Sequence, residues 1–146
     1  MKIRSYNSFL RAILRDIPCI LAYDTAADYL GMTEGCDSSH INLFVDSYNE
    51  KLEQISKENS LTIHQIVVSS FSKIRYENFN GLNCTTPEQT IIHLLEQDGD
   101  NQVIQETLAS YYFANSESFK GLLIPEFLQL RFEEYSDWAI HYYDEY

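Results

Sequence analysis

The stretch from Ile74 to Gln97 constrains the fold more than any other part of the chain. Ile74–Phe79 and Leu82–Thr85 carry branched and aromatic residues on either side of Asn80-Gly81, the dipeptide that best tolerates positive φ at both centres of a two-residue hairpin turn. Thr86-Pro87-Glu88-Gln89 follows directly and reads as a helix start. Thr86 is the N-cap, Pro87 takes the first helical position where no amide partner is needed, and Gln89 is placed to bond back to the cap amide. Ile91, Ile92, Leu94 and Leu95 then give the helix an apolar side, and it ends near Asp98-Gly99. A hairpin that feeds straight into a capped helix demands a small sheet with a helix packed on it.

The rest of the chain supplies more of both kinds of element. Residues 7–16 place Phe9, Leu10, Ile13 and Leu14 on one helical stripe, which Pro18 stops. Asp24 is positioned to cap a second short helix over Thr25–Leu30, ended by Gly31. Ile41–Val45 and Leu61–Val68 are strand candidates, with a polar, partly helical segment between them. Beyond the capped helix, Asn101–Ala114 and a segment starting near Ile124 or Pro125 continue the helical pattern through Tyr111, Tyr112, Phe127, Leu128, Leu130, Phe132 and Trp138. Strands first and helices afterwards predict an α+β fold: a small, mostly antiparallel sheet with a central hairpin, covered on one face, and a helical C-terminal half. With no repeat or low-complexity linker, residues 1–146 read as one domain, divided into a basic arm (1–16), an α/β region (17–97) and an acidic helical region (98–146).

Charge narrows the function classes. The formal net charge is −12, from 22 acidic residues against 10 Lys and Arg. Residues 1–15 carry Lys2, Arg4, Arg11 and Arg15 without an acid, whereas residues 76–146 hold 13 acids and only Lys120 and Arg131. Specific duplex binding needs clustered cations facing phosphates, so this balance speaks against direct sequence-specific DNA binding and against an anionic membrane surface. No apolar run approaches a membrane span and no signal-peptide pattern is present. Three cysteines, Cys19, Cys36 and Cys84, lack CxxC spacing and fit a reducing, cytoplasmic setting better than a disulfide framework.

Motifs that would announce an enzyme are missing: GxSxG, HExxH, Walker and GxGxxG patterns do not occur. Cys36 and His40 are spaced for a thiolate–imidazole pair or half a metal site, the one place where hydrolase or transferase chemistry could start. A metal needs about four ligands, so the reading preferred for them is incidental loop residues, with no metal and no cofactor. His64 and His93 read as partly buried or surface histidines. His141 lies among tyrosines and acids near the C-terminus, where packing of an aromatic helix is the simpler account. Glu133-Glu134 and Asp144-Glu145 are adjacent pairs, which point apart on a helix and make no acid/base dyad.

Two segments resemble a known family. Ile17–Met32 resembles the segment that opens the second domain of AbiEi-type antitoxins of type IV toxin–antitoxin systems, with Ala22, Tyr23, Asp24, Thr25, Ala26, Leu30 and Gly31 in the pattern's places. Gly81–Gln97 resembles the same family's second signature through Gly81, Leu82, Thr85, Thr86, Pro87, Glu88, Thr90, Ile91, Ile92, Leu94 and Leu95. The chain departs from it at Gln89, where the family commonly has Arg, and at His93, where it commonly has Asp. Residues 1–16 precede the first motif, in place of the family's operator-binding winged helix-turn-helix.

The resemblance implies a free-standing second domain that lacks direct operator binding. Its expected function is that of a non-enzymatic, antitoxin-like protein of a bacterial or phage defence module, neutralising or regulating a protein partner such as a nucleotidyltransferase-like toxin. The expected contact positions are Glu88, Gln89 and His93, taken as exposed on the capped helix. The alternative is an acidic inhibitor of phage anti-defence type that mimics nucleic acid and occupies a basic groove, with Glu133, Glu134, Asp137, Asp144 and Glu145 as its surface.

Overall fold

Five short strands and six α-helices order themselves in the computed structural model, which describes residues 2–34 and 36–141. Helix α1 (Lys2–Leu14) leads to strand β1 (Ile20–Leu21), helix α2 (Tyr23–Tyr29), strand β2 (His40–Val45), helix α3 (Glu50–Glu58) and strand β3 (Thr62–Val67). The hairpin of β4 (Tyr76–Phe79) and β5 (Leu82–Thr85) then runs into α4 (Pro87–Gln97), followed by α5 (Asn101–Ala114), a 3-10 turn at Glu126–Leu128 and α6 (Gln129–Ile140). The fold is α+β with a helical C-terminal half. Among the described residues no helix is long and apolar enough to cross a membrane.

The sheet runs β3-β2-β1-β5-β4. It is mixed: β1 pairs antiparallel with β2 and β4 with β5, while β2–β3 and β1–β5 are parallel. The hairpin is therefore an edge and not the centre. Two physical reasons account for the difference from a mostly antiparallel sheet. The connection from Val45 to Thr62 carries α3 and is long enough for a parallel crossover. The centre is taken by β1, whose two residues are too few to show any alternation, although Ile20 and Leu21 are wholly buried. At the outer edge, Tyr76, Glu77 and Asn78 are exposed, the polar composition that discourages further strand pairing.

The turn of the hairpin has φ 52° at Asn80 and 100° at Gly81, both positive as the primed turn requires. Asn78 reinforces it by accepting the Gly81 amide at 3.0 Å.

Three apolar clusters hold the elements together. On one sheet face Ile41, Leu43 and Val45 of β2 pack with Leu10 and Leu14 of α1, Leu52 of α3, Leu82 and Cys84. Among the C-terminal helices Ile91, Leu95, Ile104, Leu108, Leu128, Tyr135 and Ala139 form a second core. Helix α2 joins the two because its small residues face both ways: Ala26 lies in the sheet core and Ala27 in the helical one, both fully buried. On the opposite sheet face Ile20, Ala22 and Phe44 collect Tyr23, Ile66, Val68, Phe71 and Ile74, so both faces of the sheet are covered by apolar contacts and not one alone.

Candidate functional site

The two segments that carry the resemblance are far apart in sequence and meet in space. The first is the turn from β1 into α2. Ala22 is extended, with φ −132° and ψ 157°, and Tyr23 then enters the left-handed region at φ 53°. A residue with a Cβ pays about 1–2 kcal/mol for that conformation, so surrounding bonds must hold it. Asn42 of β2 supplies them. Its carbonyl accepts the Ala22 amide at 3.0 Å, its amide donates to Thr25 Oγ1 at 2.9 Å, and its Nδ2 donates to Asp24 Oδ1 at 2.5 Å. Asp24 is thus not the cap expected from the sequence. It lies inside the first turn of α2, where its carboxylate also accepts the Thr25 amide at 3.0 Å. The helix starts at Tyr23, two residues before the expected Thr25, with Ala22 in the cap position.

The second segment is the passage from β5 into α4. Thr86 Oγ1 accepts the Gln89 amide at 3.2 Å, with Pro87 at the helix start. Thr90 Oγ1 lies 2.6 Å from Thr85 Oγ1 and donates to the Thr86 carbonyl at 2.8 Å, satisfying two buried hydroxyls. The expected return bond from Gln89 is not made, because the Thr86 amide already donates to the Arg75 carbonyl at 3.1 Å.

Gln89 is instead buried, only 9% exposed. Its Oε1 accepts the Arg75 amide at 3.1 Å, and its Nε2 lies 3.2 Å from His93 Nε2. The expectation that Gln89 and His93 are exposed contact residues is therefore corrected: Gln89 is an internal strut and His93 is half-buried. Glu88 is also half-buried. Gln89 and His93, four apart on α4, are thus joined by a neutral amide–imidazole bond.

That bond assigns the tautomer of His93. The Arg75 amide fixes which end of Gln89 is the carbonyl, so the amide nitrogen faces His93 Nε2 and donates to it. His93 then carries its proton on Nδ1, a buried atom with no hydrogen-bond partner. The ring sits against Phe44 at 5.3 Å, edge-on at 66°, and against Tyr23 at 5.5 Å. Burial, with a contribution from the Arg75 guanidinium, pushes His93 down from the usual imidazole range to about 4, so it is neutral at pH 7. Tyr23 rests in turn on Phe44 at 5.7 Å, and burial beside Glu96 raises its phenol. Between the segments, Cys84 Sγ lies 3.8 Å from the Ala26 carbonyl. Arg75 and Tyr23 carried no signal in the sequence beyond the motif position of Tyr23. Only its backbone bonds to Gln89 and Thr86 reveal Arg75.

The other sequence candidates separate. Cys36 does not pair with His40; its thiol faces Asp28, and burial with the nearby Asp28 and Asp24 carboxylates pushes it up to about 12, so it is not a thiolate nucleophile at neutral pH. His40 Nδ1 lies 3.3 Å from His64 Nε2 across the β2–β3 pair, with the rings stacked, and His40 Nε2 is 3.7 Å from Asp37. Among the described residues no group of three or more His, Cys, Asp or Glu is placed to hold a metal ion. Glu133, Glu134 and Asp137 are exposed on α6, His141 caps its end, and Asp144 and Glu145 lie outside the described residues.

The fold defines an α+β protein whose two motif segments close on one aromatic–imidazole cluster. No protein-family model, curated protein or solved structure matches the chain.

Proposed function

We propose that this chain is a non-enzymatic, antitoxin-like protein that neutralises or regulates a protein partner, a nucleotidyltransferase-like toxin in the reading the resemblance implies. The observation that supports it is the meeting of the two resembling segments: Tyr23 of the first lies against His93 of the second, with Asn42 bonded to the residues on either side of Tyr23 and Gln89 bonded to His93. A strained turn held by three bonds from one asparagine is the kind of feature that persists at functional sites. The contact surface on this reading is the outer rim of the cluster, Glu88 and the side chain of Arg75, with Gln89 and His93 as its support. The acidic-mimic alternative gains less. On α6 the acids share their face with Leu130 and Trp138, both exposed, and apolar side chains interrupt any imitation of a phosphate row.

The test is growth on co-expression with a nucleotidyltransferase-like toxin encoded beside the gene. Wild type restores growth. Glu88→Lys with Arg75→Glu abolishes rescue, whereas Glu133→Gln, Glu134→Gln and Asp137→Asn together preserve it. The reverse ranking would replace this reading with the acidic inhibitor, and no rescue by wild type would end it.

A further inference from the structure

Among the described residues, the last helix is covered on one side only. Its inner side is settled: Leu128, Tyr135 and Ala139 are buried in the helical core, and the Tyr135 hydroxyl lies 2.6 Å from Asn101 Oδ1 and 3.1 Å from Asp98 Oδ1. Its outer side is not. Leu130, Glu134, Asp137 and Trp138 recur at the spacing of one helical face, continuous with Phe127 one turn earlier. Leu123 is 76% exposed, Phe127 75%, Leu130 83% and Trp138 49%. Phe127, Leu130 and Trp138 thus put exposed apolar side chains along the turn before α6 and its outer face, the kind of patch that marks an interaction surface.

The rim says what the surface takes. Glu126, Glu133, Glu134 and Asp137 are exposed around it. The one base on α6, Arg131, is turned inward, donating to the Leu95 carbonyl and lying 3.8 Å from Asp98 at the end of α4. The negative field of the face is thus uncompensated by its own helix. A nucleic acid or an anionic bilayer would be repelled. A second copy of a chain with net charge −12 would be repelled too. The basic helix of such a copy, α1, has already buried Leu10 and Leu14 in its own sheet core.

We infer that the outer face of α6 is a docking site for a basic, amphipathic helical segment of a different protein. Its apolar residues cover Phe127, Leu130 and Trp138, and its Lys or Arg side chains meet Glu133, Glu134 and Asp137. Helix-in-groove recognition of this type anchors through apolar side chains while opposite charge sets encounter and register. The site is on a different element from the motif cluster and stands whether or not the chain counters a toxin.

Trp138 is the only tryptophan of the chain, so its emission reports occupancy directly. The probe is a tryptophan-free synthetic helix of about 18 residues, roughly five turns, with leucine on one face and lysine on the other. Its counterpart carries glutamate for every lysine. Titrating the lysine peptide is expected to shift Trp138 emission to the blue with saturation, and the glutamate peptide to leave it unmoved. Phe127→Ser with Leu130→Ser, and separately Glu133→Lys with Glu134→Lys and Asp137→Lys, should each weaken binding by at least about tenfold, as loss of central anchors does. Glu50→Lys with Glu58→Lys on α3 should leave it within about twofold, because a screened, distant charge contributes little. Circular dichroism checks that the variants remain folded. The proposal is overturned by an unmoved wild-type emission, or by equal weakening from the α3 variant, which would reduce the effect to the net charge. A concentration-dependent dimer that Leu130→Ser abolishes without peptide would also overturn it, by making a second copy the occupant.

Discussion

Replacing Gln89 by alanine separates the observed network from a simple capping box. In a capping box Gln89 returns one bond to an amide that water can also serve, so its loss would cost less than the loss of Thr86. The structure reverses that order. Thr86→Ala removes one cap bond, to the Gln89 amide, worth about 1 kcal/mol. Gln89→Ala removes two partners from a buried position: the acceptor for the Arg75 amide and the donor to His93 Nε2. Leaving a buried polar group unpaired costs about 1–3 kcal/mol. The Arg75 side is near solvent and regains part of its loss, so about 2 kcal/mol is expected in all. Urea denaturation at pH 7 measures both variants against wild type, with the slope checked so that a change of midpoint reports stability. Gln89→Ala no more destabilising than Thr86→Ala would refute the network.

His93 makes stability depend on pH. Its folded value, about 4, lies below the ordinary 6.5, so above 6.5 both states are neutral and the fold keeps its full stability. As pH falls from 6.5 towards 4 the unfolded chain takes up a proton that the folded chain refuses, and stability drops. Discounted for partial exposure, the loss is about 1–2 kcal/mol. His93→Gln should flatten this part of the profile, and an unchanged difference between the two proteins from pH 7 to 4 would contradict the assignment. At the hairpin, Gly81→Val should cost about 1–2 kcal/mol in thermal melts. Among the described residues the only neighbour of an added Cβ is Arg11 Cδ at 4.0 Å, so the cost is conformational, from φ 100° and not from a clash. An unaltered melting temperature would show that the turn can be rebuilt.

What the amino-acid sequence determined by itself is the set of features whose causes lie within a few residues. Asn80-Gly81 specifies its turn, Thr86-Pro87 starts α4, and the apolar spacing of Ile91 to Leu95 selects the buried side of that helix. Steric preference and cap chemistry act over one turn and need no other part of the chain. The tertiary structure decided what depends on distant partners. Ile20–Leu21 becomes the central strand only because β2 and β5 flank it. Parallel pairing of β2 with β3 follows from where α3 packs. Asp24 falls inside α2 and bonds Asn42, and Tyr23 adopts a strained φ between residues that the same asparagine holds. Gln89 and His93 look like surface residues on a helical wheel. They are turned inward because the amide of Arg75, just before β4, and the ring of Phe44 on β2 arrive there, and burial of a polar group is stable only where such partners converge.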